Sequence, residues 1–280
     1  MSAMLYLVPT PIGNLGDISQ RCRETLENAD FIAAEDTRVT LKLLNHLGIK
    51  KSLVSYYEHN KAAQGSRIVE RILSGETCAL VSDAGSPAIS DPGEDLVKQC
   101  AAAGIPVCAI PGPCAAITAL SISGQATGRF CFEGFLSTAK KSRREHLERL
   151  KNEQRTMIFY EAPHKLLTTL ADMAAVFGGE RPLSLCRELT KLHEEVVRTT
   201  LAEALERYTE TPPKGEFVLI LAGAKPEEKQ TPSQTDAAAR LAELIGQGFS
   251  RKDAVKQTAK ELGLSKNAVY GIALKDSEEE

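Results

Sequence analysis

Two short segments collect side chains that take up, release or steer protons. Residues 34–38, Ala-Glu-Asp-Thr-Arg, set Glu35 and Asp36 beside the guanidinium of Arg38, and residues 191–195, Lys-Leu-His-Glu-Glu, set His193 beside Glu194 and Lys191. Groups of this kind do general acid–base work when one of them lies within hydrogen-bond reach of a reacting hydroxyl. Adjacent side chains on an extended segment diverge, so only one of Glu35 and Asp36 faces a given ligand, and Asp36 is preferred here. Three further segments are rich in Pro and Gly: residues 8–19 (VPTPIGNLGDIS), 80–93 (LVSDAGSPAISDPG) and 111–116 (PGPCAA). One such segment is only a turn. Four irregular loops together, counting residues 34–38, offer exposed backbone N–H and C=O groups suited to reading an adenine and a ribose.

Other chemistries are disfavoured by what is missing. There is no GxGxxG turn, no GxxxxGK[ST] loop and no GxSxG elbow, which argues against dinucleotide-binding, P-loop and α/β-hydrolase sites. The seven cysteines include no CxxC pair and the five histidines no HxxxH pair, so no bound metal is expected.

The elements that must hold these loops follow from periodicity. LYLV, DFIAAED, SLVSYY, TCALVS and PVCAI read as strands, separated by helices near residues 17–27, from Thr40, over 64–73 and after Asp91, which is expected to be an N-cap. That alternation predicts an α/β domain in which all four loops gather outside the carboxyl ends of the strands. From Arg129 the strands RFCFEGF, TMIFYEA, PLSLCREL, EVVRTTL and GEFVLILAG come in closer succession, with a helix over 165–177, which predicts a second α/β domain with more antiparallel pairing. Residues 224–234 read as a linker. Three short amphipathic helices follow, ended by Gly246 and Gly263 and opened by Ser250 and Ser265, in the pattern of a helix-turn-helix.

With 280 residues, 42% apolar and 25% charged, the chain has room for more than one core. It contains no apolar run near the ~20 residues of a membrane span, and its start has no signal-like apolar stretch, so a cytoplasmic protein is expected. A net charge of −3 argues against a chain that coats nucleic acid over its whole surface. Locally, residues 140–155 carry seven Lys or Arg against three Glu, and residues 251–275 carry six against two acids. Lys140, Lys141, Arg143, Arg144, Lys252, Lys256 and Lys266 are therefore candidate phosphate contacts, with Arg38 and Lys191 nearer the acid–base segments.

In order along the chain, VPTPIGNLGDI, AEDTR, SDAGSPAISDPG, PGPCA, FEGFL, FYEAPHK, ELTKLHEE and GEFVLI resemble the tetrapyrrole-methylase superfamily, and within it the branch acting on small-subunit ribosomal RNA. The resemblance implies two α/β domains, 1–117 and 118–225, with S-adenosylmethionine in the cleft between them, a helix-turn-helix unit over 235–276, and a homodimer. It implies donor contacts at Pro11, at Asp83, Ala84, Gly85, Ser86 and Ile89, at Cys114 and Ala115, and at Tyr160, Glu161 and Leu189. It implies methyl transfer to the ribose 2'-hydroxyl of a decoding-centre cytidine in 16S rRNA, with Asp36, Glu35 or His193 as candidate proton acceptors. SDAGSP stands where tetrapyrrole methylases carry a GGDP-like run, which argues against a porphyrinoid substrate. Two alternatives stay open at this level: a methylase of a small molecule, and a ligand-sensing regulator whose helix-turn-helix reads DNA.

Overall fold

The computed structural model describes residues 3–225 and 234–275. Most of the expected linker, residues 226–233, and the acidic end, 278–280, lie outside the described residues. The chain divides into two compact units, Met1–Ala224 and Lys225–Glu280.

The first unit opens with five strands, β1 (Leu5–Leu7), β2 (Phe31–Ala34), β3 (Ser52–Ser55), β4 (Cys78–Val81) and β5 (Val107–Ala109), which form a sheet in the order β3-β2-β4-β1-β5. Every pair in it is parallel. Parallel strands are covered on both faces, and β2 and β4 are buried at every residue. The helices α1 (Gln20–Asn28) and α2 (Thr37–Leu47) cover one face, packing Cys22, Leu26 and Leu44 on Val8, Ile32 and Val81. On the other face α3 (Lys61–Leu73) and α4 (Glu94–Ala102) pack Ile68, Ile72, Leu96 and Cys100 on Leu5, Phe31 and Leu80. The chain therefore leaves β1 and β2 toward one face and β4 toward the other, and the crevice between such divergent connections is where open α/β sheets take ligands.

The next helix, α5 (Ala115–Ser123), packs on a second sheet of β6 (Phe130–Phe135), β7 (Thr156–Glu161), β8 (Pro182–Arg187), β9 (Glu195–Thr200) and β10 (Phe217–Leu221), in the order β6-β7-β10-β8-β9. Only β6 and β7 pair in parallel; the other three pairs are antiparallel. Along β10 the two-residue period divides the core: Phe217, Leu219 and Leu221 face α6 (Lys140–Arg149), α7 (Pro163–Phe177) and α8 (Leu201–Glu210), while Val218 and Ile220 face α5.

Two expectations change. Asp91 does not cap α4, which starts at Glu94 after Gly93 with no side-chain cap; the Asp91 carboxyl bonds Ser82 instead. Arg143 is not available to a phosphate. It is 6% exposed, its Nε donates to Asp172 at 2.8 Å, and its Nη1 donates to the carbonyls of Ser137 and Thr138.

In the second unit α9 (Gln234–Gly246), α10 (Arg251–Leu262) and α11 (Lys266–Lys275) stand where the apolar spacing put them. Leu241, Leu244, Ala254, Val255, Ala259 and Val269 form their core, while Ile245 and Ala268 are exposed. Among the described residues no helix is long and apolar enough to cross a membrane.

Burial alone would raise the Asp172 carboxyl, but the hydrogen bonds from Arg143 and Arg144 outweigh it and hold it below its ordinary 3.8. A lowered folded-state value gives stability that is present above the ordinary value and lost as pH falls through the lowered one. Asp172→Ala, which leaves the Arg143 guanidinium buried without its counter-charge, should cost about 3–5 kcal/mol in urea denaturation at neutral pH. The gap from wild type should close as acid protonates Asp172 in the wild-type protein.

Candidate active site

The carboxyl ends of β1, β4 and β5 are tied together before any ligand is considered. Thr10 and Gly85 exchange reciprocal backbone hydrogen bonds of 2.9 and 3.0 Å, and the Thr10 hydroxyl donates to the Ser82 carbonyl. Ser86 Oγ donates to the carbonyl of Pro113 at 2.9 Å, joining the loop after β4 to the PGPCAA turn. Gly112 brings that turn against the first loop, since a Cβ there would lie 2.8 Å from Pro9 Cβ. The loop after β2 is held by Asp83, whose Oδ1 accepts the Asp36 N–H at 3.0 Å.

These loops face the second sheet across a cavity of about 470 Å³, within the usual range for a small-molecule site. Of the residues named for the donor, Asp83, Ala84, Gly85, Ser86, Ile89, Cys114, Ala115, Tyr160, Glu161 and Leu189 all line it; Pro11 does not, and its neighbour Ile12 does. Ile89 and Leu189 are presented alike. Ala88 and Ser90 on either side of the first have φ of 67°, and Glu188 and Thr190 on either side of the second have φ of 51° and 66°. Left-handed non-glycine residues cost about 1–3 kcal/mol each and collect at ligand clamps. Tyr160 is fixed by its hydroxyl, which accepts the Ala116 N–H at 3.0 Å, and burial pushes its pKa up to about 12. Glu161 is buried with both oxygens engaged, by the Ala162 N–H and the Thr169 hydroxyl, so it shapes the wall.

One end of the cavity is acidic: Glu35, Asp83 and Asp91 all line it. Burial, followed by repulsion from Asp91 and Asp83, raises the Glu35 carboxyl above its ordinary value, and burial raises Asp83 and Asp91 as well. Asp36 points elsewhere. It caps α2, receives the Arg38 N–H at 2.8 Å and the Arg38 guanidinium, and is held down at about 2 by those bonds. The preference between the neighbouring acids therefore reverses, because the side chain that turned into the cleft is Glu35. His193 is exposed and does not line the cavity; Glu194 accepts the Thr190 N–H, and Lys191 is paired with Glu188 and Glu216. Asp91, expected only as a helix cap, and Phe135 also line the site, and the sequence marks neither as a site residue. The signal for Asp91 was present in SDPG but fits a helix cap equally well.

Residues 4–205 match the tetrapyrrole (corrin/porphyrin) methylases. The chain belongs to the tetrapyrrole methylase family. It is 48% identical over 271 residues to the ribosomal RNA small subunit methyltransferase I of Synechocystis sp., covering 97% of each chain. It is 50% identical over 272 residues to the protein of that name from Halalkalibacterium halodurans, covering 96% of this chain and 93% of the relative. Among solved structures, uroporphyrin-III C-methyl transferase from Thermus thermophilus complexed with S-adenyl homocysteine shares the fold, with a TM-score of 0.56 at 16% identity over 78% of this chain and 97% of that one. This methylase is thus an S-adenosylmethionine-dependent methyltransferase.

The cavity fits such a donor by its own chemistry. Ile12, Ile89, Leu189 and Val218 supply apolar walls for an adenine, backbone of the loop around Gly85 is open to the cavity, and the carboxylates at one end suit a cationic sulfonium and ammonium. Among the described residues no cluster of His, Cys, Asp or Glu is arranged to hold a metal ion. Gly112→Ala should push the PGPCAA turn off Pro9 and weaken donor binding by about tenfold in calorimetry, roughly 1.4 kcal/mol, while the thermal midpoint moves little.

Proposed function

We propose that this methylase transfers the methyl group of S-adenosylmethionine to the ribose 2'-hydroxyl of a cytidine in 16S rRNA of the bacterial small ribosomal subunit. The substrate class rests on similarity over nearly the whole chain to proteins named ribosomal RNA small subunit methyltransferase I. The observation that carries the mechanism is a carboxylate with a raised pKa, Glu35, in the same cavity as the residues proposed to hold the donor.

The donor supplies an activated methyl on a sulfonium. The chain has to align a hydroxyl oxygen with that methyl and remove the hydroxyl proton. Asp83, Ala84, Gly85, Ser86 and Ile89 after β4, with Cys114, Ala115, Tyr160 and Leu189 opposite, hold and orient the donor. Glu35 accepts the proton as the ribose oxygen bonds to the methyl carbon and the carbon–sulfur electron pair stays on sulfur. A raised pKa makes Glu35 a stronger base than an ordinary carboxylate, and Asp36, held at about 2, is a poor one. Lys140, Lys141 and Arg144 on α6, and Lys252, Lys256 and Lys266 on the second unit, are exposed and suited to rRNA phosphates.

Purified small subunits lacking the modification, incubated with labelled donor and then digested to nucleosides, should show label in a 2'-O-methylated cytidine by mass analysis. Label in another nucleoside, or none despite donor binding, overturns the substrate assignment. Glu35→Gln should lower kcat by roughly 10²–10⁴-fold even at saturating donor, a loss larger than any weakening of donor binding read by calorimetry. Because the base acts deprotonated, the wild-type rate should fall as pH drops through a value above 4.5, the ordinary value for Glu35. That limb should be absent in Glu35→Gln.

A further inference from the structure

A large aromatic side chain at the edge of the cavity is left more than half exposed by the fold. Phe135, the last residue of β6, is 56% exposed, and it lines the cavity. It is aimed there by an irregularity of the strand: the β6–β7 register shifts between Phe132 and Gly134, and Gly134 takes φ +62°. A bulge of this kind re-aims the side chains that follow it. The ring then rests edge-on against Tyr160, with centroids 5.5 Å apart, and Phe132 packs on Tyr160 in the same manner at 5.0 Å. Tyr160 is itself fixed by the Ala116 N–H. Phe135 is thus held from one side by a pinned neighbour while more than half of it remains open.

The chain that leaves Phe135 leads directly into cations. Leu136 is buried, and five residues after Phe135 the helix α6 begins with Lys140 and Lys141, both exposed. The connection between them is fixed from below, because the buried Arg143 donates to the carbonyls of Ser137 and Thr138 and is anchored by Asp172. Aromatic ring and cations are therefore held at a set separation on one stretch of chain. An exposed ring beside backbone-facing cations is the arrangement by which proteins take an unpaired nucleotide, with the base stacked and its phosphate neutralised.

We infer that Phe135 is a stacking platform for an unpaired RNA base at the cavity mouth, with Lys140 and Lys141 taking the flanking phosphates. The inference rests on the RNA substrate proposed above. It gives the site a way to hold an unpaired target nucleotide by its base while the ribose hydroxyl is presented to the cavity. It also assigns Arg143 a positioning role in place of a phosphate contact.

The test uses the full chain and undermethylated small subunits, with Phe135→Ala, Phe135→Leu and Phe135→Trp compared for donor affinity, sedimentation and the KM and kcat of methyl transfer. Phe135→Ala and Phe135→Leu should raise KM for subunits by about tenfold or more, with donor affinity and sedimentation unchanged, and Phe135→Trp should restore it. Lys140→Ala with Lys141→Ala should flatten the salt dependence of KM. Weakened donor binding in Phe135→Ala would make the ring an adenine contact and overturn the inference. Altered sedimentation would make it a subunit contact, and an unchanged KM would remove it from the site. Failure of the wild-type protein to methylate subunits would instead overturn the RNA substrate itself.

Discussion

The reciprocal hydrogen bonds between Thr10 and Gly85 are the constraint on which the rest of the cleft depends. β1 and β4 are neighbours in the sheet, yet their chains depart toward opposite faces. Without a tie, the loops after them would diverge and the crevice would be a wide groove. The bridge carries the pairing three residues past the end of β1, and the Thr10 hydroxyl, nearly buried, closes it against Ser82. Each bond contributes only about 0.5–1.5 kcal/mol net, but a buried group left unpaired would cost more than its bond contributes. Ser86 and Asp83 then extend the tie to the PGPCAA turn and to the loop after β2, so that two further loops are fixed to the bridge.

Charge is divided between the cavity and the surface beside it. The cavity gathers Glu35, Asp83 and Asp91, a field that favours a cationic donor and repels phosphate. Cations stand outside it, on the exposed face of α6. A net charge of −3 conceals this arrangement completely. Burial, more than their mutual repulsion, raises the three carboxyls, while the bonds from Arg38 hold the neighbouring Asp36 down at about 2. Backbone strain is confined to the cavity walls in the same way: among the described residues every non-glycine position with positive φ flanks Ile89 or Leu189. Four such residues, at about 1–3 kcal/mol each, are tolerated only where the surrounding hydrogen bonds and packing over-determine them.

Much of this was legible in the residues alone. The two-residue and helical periods located the ten strands found among the described residues, and the Pro- and Gly-rich segments marked the loops that line the cavity, because both signals come from short-range geometry. What the sequence could not decide was which way individual side chains turn. Glu35 and Asp36 are equivalent as letters; the Arg38 guanidinium and the start of α2 claim one of them and leave the other to the cleft. Asp91 satisfies every local rule for a helix cap, but Gly93 opens α4 and frees Asp91 to join Ser82. Arg143 is one cation among seven in a basic stretch until Asp172, 29 positions away, draws it inside. His193 and Lys191 sit beside carboxylates in the chain, and the local fold uses Lys191 to brace its own loop while His193 stays outside the cavity. Element type and loop placement follow from spacing along the chain, which the sequence states outright. The identity of the acid in the cleft, the burial of one arginine and the exposure of Phe135 follow from partners brought together by folding, and those long-range contacts are decided only in the tertiary structure.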